Sequence, residues 1–219
     1  MRLNLILLDS ALELVPREIV SHPAVVKNAV RRGKKAENTL LDISLHYKAM
    51  KNLENANKRG RPDIVHFALL LFLTLEEEIR GDLFIHTIDG KIIFVDRQMR
   101  PPKNYNRFVG LMEQLLLEGK IPPKGDRTLM EITNLKLKDL SRKYSSLIVL
   151  SESGRKVNPA DLCKLMHENV LFGVGAFAHG DFSSEVKESA SDFLSISKNV
   201  LETHQVICRV SIACSGFLS

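Results

Sequence analysis

The chain contains no tryptophan, only three tyrosines and only three cysteines in 219 residues. An odd number of cysteines in apolar, helix-like or strand-like surroundings argues against a disulfide framework. Cys163, Cys208 and Cys214 therefore read as buried thiols of a reducing compartment. Long hydrophobic runs are missing too: the longest, Phe67 to Leu75, is about half a membrane span. The apolar stretch from Leu3 to Leu8 meets Asp9 too early for a secretory signal, and no small-residue cleavage site follows. The expectation is a soluble, cytoplasmic protein with no membrane partner.

Several catalytic signatures are also lacking. There is no Walker A loop and no G-x-S-x-G, so triphosphatase and covalent hydrolase chemistry are poorly supported. His167-Glu168 has no second histidine four positions on, and no two cysteines stand at C-x-x-C spacing. No metal site is expected, and His66 and His86 read as satisfying local hydrogen bonds. No internal repeat and no low-complexity segment is present.

Positive charge is what the chain does carry, unevenly. The formal net charge is +5 and the isoelectric point is about 9.1. From Lys27 to Arg61 there are ten Lys or Arg against three acids. The rear part is nearer neutral, which suggests a polyanion-binding face beside a site of different chemistry. The run Arg97-Gln98-Met99-Arg100-Pro101-Pro102-Lys103-Asn104-Tyr105-Asn106-Arg107 holds four cations, one aromatic and no acid. Its two prolines exclude a central strand or helix interior, so a stiffened loop is predicted. Such a loop suits RNA, with Tyr and Asn offering stacking and base-edge contacts.

With 44% hydrophobic residues, the length suits one domain with room for an insertion, burying roughly 70% of its unfolded surface. Leu3 to Asp9 reads as a buried strand. Pro23 to Arg32 and Tyr47 to Ala56 look helical, and Asp63 starts another helix after the break at Gly60-Arg61-Pro62. The stretches Leu83 to Thr87 and Lys91 to Val95 flank Asp89-Gly90, a hairpin signal. Phe108 to Leu117 reads as an amphipathic helix closed by Gly119. In the rear half, strands at 147–150, 170–174 and 193–196 alternate with helices at 160–167 and 202–214, an α/β pattern with a largely parallel sheet. Asn158-Pro159 is a helix start.

Gly173-Val174-Gly175-Ala176-Phe177-Ala178-His179-Gly180 fits the dinucleotide fingerprint in its first six residues. Only 39 residues follow Gly180, too few for the βα units of a nicotinamide oxidoreductase. A ligand loop of another kind and a tight structural turn both remain open. Arg61-Pro62-Asp63 fits a helix entry with an acid near the positive end of the dipole. It equally fits an aspartate that holds a guanidinium in a bidentate pose aimed at RNA.

Several elements occur together and in order: Arg61-Pro62-Asp63-Ile64, Ile85-His86-Thr87, Arg100-Pro101 with Tyr105 and Arg107-Phe108, and Gly110-Leu111-Met112 with Gln114-Leu115. Gly175 to Gly180 and the Ser195-Ile196-Ser197 turn with Asn199 follow. With them the chain resembles, over nearly its whole length, the essential-for-mitotic-growth family of ribosome-biogenesis methyltransferases. That family is specific for N1 of pseudouridine and belongs to the SPOUT (trefoil-knot) class. The resemblance implies an α/β SPOUT-type fold with a mostly parallel sheet, a C-terminal trefoil knot and an inserted RNA-binding extension. It implies one domain over 1–219, with the extension within about 27–118 and the knotted cofactor site within about 146–219. It implies S-adenosyl-L-methionine as cofactor, small-subunit ribosomal RNA as substrate, a homodimer, and ribosome assembly proteins as further partners. By motif, Arg61, Asp63, Arg100, Lys103 and Arg107 would bind RNA, with Arg61 and Asp63 the candidates for a catalytic role. Lys103 stands where such proteins often have Arg, so a bidentate contact there is not implied. Leu150, Gly175, Gly180, Ile196, Ser197, Lys198, Asn199, Val200 and Leu201 would surround the cofactor. Lys198 and Val200 depart from the family pattern, so backbone contacts are the safer expectation there. A non-catalytic RNA-binding assembly factor is the alternative, and a methyltransferase acting on transfer RNA a weaker one.

Overall fold

The computed structural model describes residues 2–215; residues 1 and 216–219, the ends of the expected 1–219 domain, lie outside the described residues. The front half runs β1 (Leu3–Ser10), α1 (Pro23–Arg31), α2 (Ile43–Met50), α3 (Pro62–Phe72), β2 (Arg80–Thr87), β3 (Ile92–Val95) and α4 (Tyr105–Glu118). It is followed by β4 (Lys120–Ile121), β5 (Met130–Thr133) and α5 (Leu137–Ser141). The rear half is β6 (Leu147–Lys156), α6 (Pro159–Leu165), β7 (Leu171–Gly175), α7 (Ser184–Ser189), β8 (Asp192–Ser195) and α8 (Thr203–Ser215).

All eight residues of β1 are buried. A parallel strand covered on both faces calls for a nearly continuous apolar run, interrupted here by Asn4 before the polar end Asp9-Ser10. Its side chains alternate between two cores. Leu3, Leu5 and Leu7 enter the larger one, under α3, α4, α6 and α8. Ile6 and Leu8 enter the smaller one, with Leu137 and Leu140 of α5 and Val186 of α7. Each fully buried Leu or Ile contributes on the order of 1.5–3 kcal/mol, so one strand ties both layers to the sheet.

The sheet order is β4-β5-β3-β2-β1-β7-β6-β8. The five strands from β2 to β8 are parallel neighbours. The β3, β5 and β4 extension is antiparallel. This is the mixed α/β, mostly parallel architecture the sequence implies. The carboxyl ends of β1, β7, β6 and β8 therefore share one edge, where ligands of open α/β sheets bind. Helices α1 and α2 carry a small core of their own, built from Val25, Leu41, Ala49 and Met50.

Several expectations need correction. The second helix starts at Ile43, not Tyr47, because Asp42 caps it by accepting from the Ser44 N–H at 2.8 Å. Helix α4 starts at Tyr105, where Asn104 accepts from the Arg107 N–H at 3.1 Å, so the end of the basic run is helix rather than loop. Strand β6 does not stop at Leu150: it bulges and resumes pairing with β8 at Arg155. Gly154 permits this, since a Cβ there would sit 2.6 Å from the Phe193 carbonyl carbon. Helix α7 and the strands β4 and β5 carry patterns too short to read. The three thiols are a further correction. Cys163 on α6 and Cys214 on α8 form a disulfide with Cα atoms 5.3 Å apart. Cys208 is free and half-buried. Parity of the count says nothing about proximity, and these two cysteines meet only because α6 and α8 pack together.

Candidate functional site

A cleft of about 160 Å3 opens at the carboxyl edge of the parallel strands. Leu150 of β6, Val174 and Gly175 of β7 and Ser195 of β8 form its floor. Two segments wall it: 177–182, after β7, and 196–203, leading into α8. Of the residues expected around a cofactor, Leu150, Gly175, Gly180, Ile196, Ser197, Asn199, Val200 and Leu201 line this cleft. Lys198 does not; its side chain is exposed. Ser151 and Glu152 extend the lining from the β6 bulge.

Both walls are anchored at their roots by hydrogen bonds. Gly180 has φ +111°, a backbone state that side-chain-bearing residues rarely adopt. The Ala176 N–H donates to the Leu8 carbonyl at 2.9 Å, and the Ala11 N–H to the Ala176 carbonyl at 3.0 Å. In the other wall the Ser195 hydroxyl donates to the Ser197 carbonyl at 2.9 Å, and the Asn199 N–H to the Ser197 hydroxyl at 3.1 Å. Thr203 closes the circuit by donating to the Gly175 carbonyl at 2.6 Å. The result is a cleft with apolar sides (Leu150, Ile196, Leu201, Val206) and polar ends (Glu152, Ser197, Asn199, Glu202). Such a site suits a ligand with one flat apolar part and several hydroxyl or charged groups.

The basic face stands beside it. Arg61 precedes α3, and Asp63 lies in its first turn. Arg61 Nε and Nη2 donate to the two Asp63 carboxylate oxygens at 2.8 and 2.7 Å, a fork-to-fork pair that leaves both side chains about one-third exposed. Hydrogen bonding to Asp63 raises the Arg61 pKa against the opposing effect of burial, and the nearby carboxylates of Glu202 and Asp42 add to the rise. Helix α3, which Arg61 leads into, packs against α8, whose first residue Thr203 lines the cleft.

The segment bearing Arg100, Lys103 and Arg107 is pinned to the same helix. His66 Nε2 lies 2.7 Å from the Pro102 carbonyl, and its ring stacks on Phe108 with centroids 4.3 Å apart. Tyr105 donates to Asp42 at 2.6 Å, and burial followed by this bond pushes its pKa well above the ordinary tyrosine range. Arg100, Lys103 and Arg107 are exposed and, among the described residues, have no ion-pair partner. The fold thus brings Arg61, Asp63 and this cationic segment onto one face. Arg97 stands apart: its carbonyl accepts from Arg80 at 2.9 Å.

Sequence reasoning misses Asp181, Phe182, Glu202 and Val206 of the cleft lining, and four residues that brace the site. Asp9, at the end of β1, takes a left-handed φ of 48° and is only 2% exposed. Its carboxylate accepts from Lys58 at 2.7 Å, and from the Ser183 N–H and hydroxyl at 2.7 and 2.8 Å. Thr203 is the fourth. A polar residue ending an apolar strand was the one available signal, for Asp9 alone.

The family model described as "EMG1/NEP1 methyltransferase" matches residues 5–215. The "Ribosomal RNA small subunit methyltransferase Nep1" of Sulfurisphaera tokodaii is 64% identical over 214 residues, covering 98% of this chain and 97% of that one. The protein of the same name from Saccharolobus solfataricus is 62% identical over 218 residues, covering 100% and 99%. Among solved structures, Archaeoglobus fulgidus Nep1 bound to S-adenosylhomocysteine superposes with a TM-score of 0.90 at 40% identity, covering 99% of this chain and 98% of that one.

Proposed function

The chain belongs to the EMG1/NEP1 methyltransferase family, and from that premise we propose that it methylates N1 of a pseudouridine in small-subunit ribosomal RNA, with S-adenosyl-L-methionine as cofactor. The observation that carries this reading is the packing of α3, which Arg61 leads into, against α8, which begins at the cleft wall with Thr203. The fit to the cofactor rests on the cleft's chemistry. Leu150, Ile196, Leu201 and Val206 offer apolar surface for an adenine ring, while Glu152, Ser197 and Asn199 offer partners for hydroxyl and amino groups. Bound there, S-adenosyl-L-methionine would supply an electrophilic methyl group.

The protein's own residues then have separate tasks. Arg100, Lys103 and Arg107 hold phosphates and set the register of the RNA. Arg61, kept cationic and oriented by Asp63, faces the target base and stabilises negative charge developing on its ring. Pseudouridine is linked to its sugar through carbon, so its N1 bears a proton and is open to alkylation, that proton passing to water as the methyl group moves from sulfonium sulfur to N1; in uridine that nitrogen is occupied. Asp63 shares both oxygens with Arg61 and is a poor base while it does so. Its task in this reading is orientation.

We read residues 27–118 as the RNA-binding extension and 146–219 as the cofactor half of a single SPOUT unit. The return of the chain after β8, which brings Thr203 against the Gly175 carbonyl, supports a trefoil knot. Phe67 on α3 and Ile212 on α8 are 57% and 66% exposed on two helices that pack together, which supports a homodimer. Among the described residues no helix is long and apolar enough to cross a membrane. Cytoplasmic location and assembly-factor partners belong to the same proposal.

Single-turnover methylation and RNA affinity of Arg61→Ala and Asp63→Ala test the assignment. Both variants are expected to lose rate, Arg61→Ala the more. Unchanged rate and affinity in both would remove these residues from the site.

A further inference from the structure

Lys58 lies in a short helical turn, Ala56–Lys58, just ahead of Arg61, and is only 9% exposed. A lysine so buried needs a use for each of its three ammonium protons. Nζ donates to the Asp9 carboxylate at 2.7 Å and to the Asp181 carbonyl at 2.7 Å, and it sits 4.3 Å from the centre of the Phe177 ring. Phe177 and Asp181 line the cleft from one wall. Asp9 in turn grips Ser183, where that wall ends. One ammonium from the RNA-binding extension therefore touches the wall at two points and, through Asp9, at a third. Gly180 at its centre packs near Asn57 and the Lys58 stem.

We propose that Lys58 is a positioning residue for cofactor binding: it holds the 177–182 wall in the shape that receives S-adenosyl-L-methionine, with Asp9 as its buried counter-ion. This inference rests on the reading of the cleft as the cofactor site. Lys58 itself does not line the cleft, so its effect on the ligand passes through the Asp181 backbone and the Phe177 ring. Losing a charge-assisted bond to a wall carbonyl should weaken the cofactor by about tenfold or more.

The test compares the unmodified protein, Lys58→Met and the double variant Asp9→Asn/Lys58→Met. Calorimetry with S-adenosylhomocysteine, RNA hairpin affinity and thermal midpoint are the readouts. Lys58→Met strands a buried carboxylate, so its midpoint should fall along with its affinity. The double variant removes that stranded charge while Asn can still bond Ser183. Its midpoint should recover and its RNA affinity should stay within about twofold, yet the cofactor should remain about tenfold weaker. Full recovery of cofactor affinity in the double variant overturns the inference. Failure of the double variant to fold also overturns it, because Lys58 would then serve the fold and not the wall. If the unmodified protein does not bind S-adenosylhomocysteine, the cofactor reading itself falls, and this inference with it.

Discussion

Glu113 on α4 is fully buried, and Glu113→Gln is the substitution whose consequences can be worked furthest from the structure. Its carboxylate accepts both Arg32 Nη atoms, one at 2.8 Å, the Lys34 ammonium, and the Leu40 N–H at 2.9 Å. These bonds staple α4 to the segment between α1 and α2. Removing one partner of a buried ion pair costs about 3–5 kcal/mol. Here the released cations can turn toward water, since Arg32 and Lys34 are 24% and 37% exposed, so about 2–3 kcal/mol is expected. For a chain of this size that lowers the melting midpoint by about 5–10 °C. The pH dependence sharpens the case. Burial pushes the Glu113 pKa up, but the bonds from Arg32, Lys34 and Leu40 outweigh it and the net direction is down from 4.5. A lowered folded-state pKa means that the ionised group's contribution is complete above the unfolded value and is lost as pH falls through the folded one. Gln resembles the protonated acid, so the gap between the two proteins should be widest near about pH 7 and shrink below about pH 4. Urea unfolding followed by circular dichroism at both pH values measures it. A gap that is absent near neutrality, or equal at both pH values, refutes the reasoning.

Reducing the Cys163–Cys214 disulfide opens a loop of 51 residues, which by chain entropy should cost up to about 4 kcal/mol. Urea midpoints with and without reductant, and with Cys163→Ser, report it, and an unchanged midpoint contradicts it; Cys208→Ser serves as control. On the proposed reading, replacing Arg100, Lys103 or Arg107 by Ala weakens RNA binding for all sequences alike. Each replacement should lower the salt slope of log Kd by roughly 0.7–0.9. A loss confined to one base identity would point to base reading instead.

The sequence displays the sheet and hides the site's supports. Strand β1 is legible because a strand buried on both faces is nearly continuous in apolar residues, and β2–β3 because Asp89-Gly90 specifies the turn. Helix α3 is legible from Asp63 onward, although Pro62, read as part of the break, is its first residue. The start of α4 is hidden because two prolines dominate the reading while Asn104 quietly supplies the cap. The β6 bulge is hidden because its cause, the close approach of Gly154 to β8, is tertiary. The same holds for the disulfide and for the contact between Lys58 and Asp9, which joins residues 49 positions apart. A local reading also reaches the Arg61–Asp63 fork, because both partners lie within one turn of chain. Of the cleft lining, the Gly175 to Gly180 turn is legible from its own glycines as a candidate ligand loop, while Leu150 and the 196–201 segment come into view through the family resemblance, which also includes Lys198, an exposed residue outside the lining.

The central claim is methyl transfer to N1 of pseudouridine. Its most direct test is mass mapping of a small-subunit RNA hairpin incubated with the protein and S-adenosyl-L-methionine, made in parallel with uridine in place of pseudouridine. A single added methyl is expected at N1 of the pseudouridine and none on the uridine hairpin. Methylation of both hairpins, or of neither, contradicts it.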